Sequence, residues 1–295
     1  MTNQSRAGLW LAGARPRTLP AALVPVAVGA ACAAGSADAA WWRTALAAVV
    51  SLALQVGVNY ANDYSDGVRG TDAERVGPLR LVGSGAVPAA AVKRAAFASL
   101  GIACVAGLVL ALLTTLWLVA VGACAVLAAW FYTGGPRPYG YAGLGEVFVF
   151  VFFGLVATAG TTYVVGGSVT AGAWWAGSAA GCFSCALLVV NNLRDIPGDT
   201  VAGKRTLAVR LGDSGTRKLF VALFIAASLC IVAVSVIAGP WVLLGLAGVV
   251  AAAPAMGAVR EGALGPALVP VLGAVGRAQL VLGVFFSAGI SLALA

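Results

Sequence analysis

The chain has 295 residues, 61% of them hydrophobic and only 9% charged, with a mean hydropathy of +0.98. Soluble domains are roughly half apolar, so a water-soluble globular fold is excluded. The formal net charge is +8 and there is no histidine, which removes histidine triads, histidine general bases and the commonest transition-metal ligand together.

Apolar runs of about 18–25 residues, each long enough to cross about 30 Å of hydrocarbon as a helix, recur along the whole length. About nine are predicted, over 19–36, 41–62, 88–113, 116–133, 144–166, 171–193, 218–238, 241–258 and 275–294. The fold class is therefore all-α, a polytopic membrane protein, and 1–295 reads as one transmembrane domain whose partner is the lipid bilayer. On this layout all eighteen basic residues except Arg43 fall on the side that holds the N-terminus. The positive-inside rule then puts the N-terminus in the cytoplasm and, with an odd number of spans, the C-terminus outside. Those cations flank the membrane as topology requires, so no nucleic-acid partner is expected.

Taken in order, the first span follows Arg15 and Arg17 in "ARPRTLP" and precedes Ala37-Asp38-Ala39. That combination loosely imitates a cleavable leader, but eight further spans make an uncleaved helix the expectation. The second span runs into "NYANDYSDGVRGTDAERVGPLRL", residues 59–81, which gathers Asp63, Asp66, Asp72, Glu74, Arg69, Arg75 and Arg80. Residues three or four apart share a helix face, so Asn59, Asp63 and Asp66 are expected to form one polar stripe, with Asn62 beside it. "YTGGPRPYGYAGLGE", residues 132–146, joins the fourth and fifth spans and carries Arg137, Tyr139 and Glu146. The sixth span runs into "NNLRDIPGDTVAGKRTLAVRLG", residues 191–212, which repeats the earlier order of features. Asn191 and Asp195 are four apart, Asp199 follows, Asn192 adjoins, and Val201-Ala-Gly203 answers Val68-Arg-Gly70. An offset of about 132 residues suits duplication of a four-helix unit. The six cysteines all lie within apolar spans and read as small buried helix residues.

Both stripes sit at cytoplasmic helix ends, where the helix dipole is already negative and neighbouring carboxylates repel. Something cationic must offset them. Mg²⁺ takes one or two carboxylates per ion, keeps waters and bridges to phosphates, so two acidic clusters imply a polyphosphate-bearing substrate. Arg69, Arg75, Arg80, Lys204 and Arg205 are then placed to meet the remaining phosphate oxygens. The plain alternative is that charged loops merely solvate the protein; it weakens when two stretches share a spacing and a face. Gly198–Lys204 imitates most of a phosphate-binding P-loop, but Arg205 stands where serine or threonine belongs and no strand precedes it.

At these residues the sequence resembles the UbiA superfamily of intramembrane prenyltransferases. The likeness extends over nearly the whole chain and implies nine helices around a central lipid-open cavity capped by two aspartate motifs. "NDYSDGVRGTD", "GPLRLVGSG", "YTGGPRPYGYAGLGE" and "NNLRDIPGDTVAGKRTLAVRLG" resemble, more narrowly, the branch acting on 1,4-dihydroxy-2-naphthoate in menaquinone synthesis. The resemblance implies Mg²⁺ on Asp63, Asp66, Asp195 and Asp199, and the ionisation of a long-chain prenyl diphosphate to an allylic cation that the naphthoate ring attacks with loss of CO₂. Lys204 joins these aspartates as a catalytic residue. Asn59, Asn62, Arg69, Arg75, Arg80, Asn191, Asn192, Arg205, Arg15, Arg17, Arg137 and Tyr139 are expected to bind the substrates. The first motif departs from the superfamily's frequent D-x-x-x-D ending, since Arg69-Gly70 follow Asp66 and the next acid is Asp72, which is a further candidate ligand. Gly203 stands where some members carry a third aspartate in the second motif. The implied location is a bacterial inner or plasma membrane. Other aromatic acceptors, 4-hydroxybenzoate or haem, would use the same metal site. From another class, a divalent-cation or phosphate transporter would need acids on both sides of the membrane, and here both clusters fall on one.

Overall fold

A computed structural model of the protein describes residues 5–70 and 79–295; Asp72 and Arg75 lie outside them. Every regular element among the described residues is helical. A short helix α1 (Arg6–Ala14) ends at Arg15, whose backbone is left-handed at φ 54°. The tight turn Pro16–Thr18 then leads into α2 (Pro20–Ala31). There follow α3 (Arg43–Arg69), α4 (Ala89–Leu113), α5 (Trp117–Phe131) and α6 (Gly145–Gly166). After these come α7 (Ala171–Val201), α8 (Leu207–Ala238), α9 (Pro240–Arg260) and α10 (Leu268–Leu294).

Seven of the described helices are long and apolar enough to cross a bilayer; α2 and α5, at 12 and 15 residues, are apolar but shorter. Both lie where the first and fourth spans are expected. The expected first span, 19–36, is cut short because the helix stops at Ala31 and residues 32–35 form a turn. Two helices err the other way: α3 runs seven residues past its expected end at 62 and α7 eight past 193, to Arg69 and Val201. Hydropathy marks where a chain leaves hydrocarbon, whereas hydrogen bonding and capping decide where a helix ends.

The interior is organised around α7, whose most apolar stretch is 78% buried against 33–50% for the other long helices. Close approach is achieved with glycine. A methyl group on Gly154 of α6 would stand 2.6 Å from Gly181 Cα and 2.8 Å from Gly177 O of α7. Small residues that let two backbones touch are how membrane helices associate where lipid offers no hydrophobic driving force. The same stretch of α6, Val151–Val156, is wound as a π turn, a local widening that recurs at functional sites. Outward faces carry apolar side chains such as Val105, Leu112, Leu229 and Val236.

The two ends of the bundle differ chemically. Trp41, Trp42, Trp117, Trp174, Trp175 and Trp241 are all exposed, and each lies at or just before the start of α3, α5, α7 or α9. Both aspartate motifs lie at the opposite ends of α3 and α7. Exposed tryptophans at helix ends, with charge gathered at one end of the bundle, suit a membrane-spanning bundle. All six cysteines are free thiols and four are buried.

Candidate active site

Where α3 and α7 end, one cavity of about 1790 Å³ opens between the helices. Its mouth is polar and its depth is apolar, with Val50, Leu118, Val121, Gly122, Ala125 and Val164 among the deeper residues. Of the expected site residues, Asn59, Asn62, Asp66, Arg80, Arg15 and Arg17 line it, as do Asn191, Asn192, Asp195, Asp199, Lys204 and Tyr139.

The two acidic stripes meet through Lys204. Its Nζ is 3.0 Å from Asp66 Oδ1 and 4.0 Å from Asp199 Oδ1, so one cation from the second motif spans both. Asp66 also accepts a 2.5 Å hydrogen bond from the Tyr141 hydroxyl, and Arg80 stands 3.8 Å from its other oxygen. Tyr141 lies under Lys204 as well, with the ammonium 4.7 Å from the ring centre, a cation–π distance. On α7, Arg194 grips Asp195 with two nitrogens at 2.7 and 2.8 Å and reaches Asn191 Oδ1 at 2.9 Å. Its side chain is wholly buried, so the fork holds the carboxylate in one orientation.

Neutral groups set the geometry of the rest. Asn192 donates to Glu146 Oε1 at 3.0 Å, which ties α7 to the start of α6. Thr133 donates to Asn62 Oδ1 at 2.8 Å. Asn59 donates to Ala14 O and Thr18 Oγ1 and thereby fastens the Arg15–Arg17 corner to α3. Tyr139 donates to Ala128 O and stacks on Phe148 at 3.9 Å. Burial pushes its hydroxyl well above the free phenol range, so it stays a donor at physiological pH. Tyr132 lines the same wall.

Several expected residues sit elsewhere. Asp63 is fully buried and does not line the cavity; its two oxygens accept the backbone N–H groups of Leu81 and Val82 at 2.8 and 2.9 Å. The stripe expected through Asn59, Asp63 and Asp66 therefore runs through Asn59, Asn62 and Asp66. Arg69 is exposed and turned to the carbonyls of Thr133 and Gly135 and the ring of Tyr141. Arg137 and Arg205 are exposed and outside the cavity wall. Gly198–Val201 complete the last turn of α7 rather than a phosphate loop after a strand.

The model of the UbiA prenyltransferase family matches residues 22–261. The chain belongs to the UbiA prenyltransferase family. A Mycobacterium tuberculosis protein named 1,4-dihydroxy-2-naphthoate octaprenyltransferase is 52% identical over 276 residues, 92% of this chain and 93% of that one. An Escherichia coli protein of the same name is 36% identical over 247 residues, 78% of each. Among solved structures, a UbiA homolog from Archaeoglobus fulgidus bound to GPP and Mg²⁺ superposes with a TM-score of 0.70. It covers 96% of this chain and 99% of that one at 16% identity, a likeness of fold. Within this UbiA member, sequence reasoning missed Tyr141, Tyr132 and Arg194 as parts of the site. Arg194 sits inside the second motif but reads as a routine interfacial cation. Tyr132 and Tyr141 stand in the 132–146 stretch, whose fold back over the ends of α3 and α7 no local pattern announces.

Proposed function

We propose that this UbiA protein transfers a long-chain polyprenyl group from its allylic diphosphate to 1,4-dihydroxy-2-naphthoate, with loss of CO₂. The observation that carries the reading is that Asp66, Asp195 and Asp199 line one large cavity together with a long apolar stretch, with Lys204 within 3.0 Å of Asp66 and 4.0 Å of Asp199. A diphosphate fits the mouth and a hydrocarbon tail the depth. The names of the relatives supply the acceptor.

The donors suit Mg²⁺: hard carboxylate and amide oxygens, no sulfur and no imidazole. Asp66, Asp195 and Asp199, with Asn62 and the Asn191–Asn192 pair, are the residues that would hold it, and Mg²⁺ there would neutralise charge building on the departing diphosphate. Lys204 and Arg80 would hydrogen-bond the same leaving group, most strongly as its C–O bond breaks. The Tyr132–Tyr139–Phe148 wall would keep water from the allylic cation and hold the acceptor ring against it. One C–C bond forms, the C–CO₂ bond breaks, and its electron pair returns to the ring, so no base is required and the absence of histidine is consistent.

The test is to incubate purified protein in lipid nanodiscs with octaprenyl diphosphate, Mg²⁺ and carboxyl-¹⁴C 1,4-dihydroxy-2-naphthoate. Prenylated naphthalenediol with stoichiometric ¹⁴CO₂ is expected, and excess EDTA abolishes both. Product from 4-hydroxybenzoate instead would move the enzyme to another acceptor.

A further inference from the structure

Asp63 belongs to the first aspartate motif yet faces away from the cavity. Its carboxylate accepts hydrogen bonds from two consecutive backbone amides, Leu81 N at 2.8 Å and Val82 N at 2.9 Å, and it is wholly buried. The segment it receives is a closed turn. Ser84 N bonds Arg80 O, Gly85 N bonds Val82 O and Val87 N bonds Leu81 O. Leu81 is fully buried, and a methyl on Gly13 of α1 would meet its Cδ1 at 2.6 Å. One turn beyond Asp63, a methyl on Gly67 would stand 2.5 Å from Val82 Cβ, so the turn lies directly on α3. The residue immediately before the two pegged amides is Arg80, itself buried and lining the cavity beside Asp66.

We propose that Asp63 is a positioning residue: its carboxylate pegs the Arg80–Val87 turn to α3 and so aims Arg80 at the diphosphate, while Asn62 and Asp66 on the adjoining helix face serve the cavity. Adjacent residues on a helix point about 100° apart, which lets one motif divide these two tasks. A carboxylate with two backbone donors is a strong acceptor; an amide offers one acceptor oxygen and turns an N–H group toward the second donor. Asp63→Asn should therefore loosen the peg and Asp63→Ala abolish it.

The role of Arg80 rests on the proposed reaction; the peg does not, and the experiment separates them. Residue-resolved hydrogen exchange on the wild-type protein in nanodiscs reads the Leu81 and Val82 amides directly. Slow exchange is expected, at least tenfold faster in Asp63→Asn; exchange as fast as an open loop in the wild type overturns the proposal without any variant. Steady-state kinetics then reads the consequence. Asp63→Asn should raise KM for prenyl diphosphate about tenfold while leaving the Mg²⁺ concentration for half-maximal rate within about twofold, whereas Asp66→Asn shifts that concentration strongly. Gly67→Ala, which pushes Val82 away without touching the carboxylate, should copy the Asp63→Asn phenotype. Arg80→Ala added to Asp63→Asn should cost little more than the worse single change, because both act through one contact. An Asp63→Asn protein with unchanged exchange and a Mg²⁺ requirement raised as far as that of Asp66→Asn would make Asp63 a metal ligand and end the proposal. Faster exchange with normal kinetics in Arg80→Ala would keep the peg and remove Arg80 from the diphosphate site.

Discussion

Among the described residues, Lys204 reaches both halves of the site, Asp66 at 3.0 Å and Asp199 at 4.0 Å. If it stabilises the leaving group in the transition state, Lys204→Ala should lower kcat and kcat/KM together by about 10²-fold, the scale of losing one preorganised charge-stabilising donor. A KM-only effect in steady-state kinetics would reassign it to ground-state binding. Tyr141→Phe removes the 2.5 Å hydrogen bond to Asp66 and should cost about tenfold in kcat/KM, in line with about 1.5 kcal/mol for a bond to a charged group. These residues differ in how far the sequence disclosed them. Asp66, Asp195, Asp199 and Lys204 stand out because charge is so scarce in the chain. That Asp63 turns from the cavity toward the Leu81–Val82 turn was hidden, because an i, i+4 spacing from Asn59 and an i, i+3 spacing from Asn59 to Asn62 are equally good stripes, and only the returning turn decides between them.

At the scale of elements, the contact between α6 and α7 is set by backbone approach at Gly154, Gly177 and Gly181. Gly181→Val should force the helices apart and lose at least about 2 kcal/mol, the scale of overpacking a filled interface. Thermal unfolding of the purified protein in detergent, followed by size-exclusion chromatography, should show a clear drop in midpoint, whereas Gly160→Ala, with nothing within 4 Å of its added methyl, should be nearly neutral. The existence of most helices was legible from runs of apolar residues. Their ends were not, because α3 and α7 continue as helix into the polar mouth, and because α2 is halted after Ala31 by a turn of apolar residues that hydropathy cannot tell from helix. The reach of α3 and α7 past the hydrocarbon is what carries the aspartates into position.

At the scale of the whole molecule, the cavity has a direction: anion at one end, hydrocarbon at the other. Gly122 of α5 lines the apolar depth, and nothing lies within 4 Å of where its Cβ would be. Gly122→Trp should therefore be accepted by the fold yet plug the tail channel, raising KM for octaprenyl diphosphate at least tenfold while dimethylallyl diphosphate turns over almost normally; equal loss for both in competition assays would place the tail elsewhere. The span of Lys204 across Asp66 and Asp199 has a further consequence. Lys204 is one of the counter-ions that the chain itself supplies to these carboxylates, and its ammonium is one that an arriving divalent ion can displace toward the phosphates. A ligand that binds the folded state alone raises the melting midpoint with the logarithm of its concentration over Kd. Without that internal understudy, Lys204→Ala should be less heat-stable than the wild type in EDTA and should gain more from added Mg²⁺, so that the two melting curves draw together as the metal concentration rises.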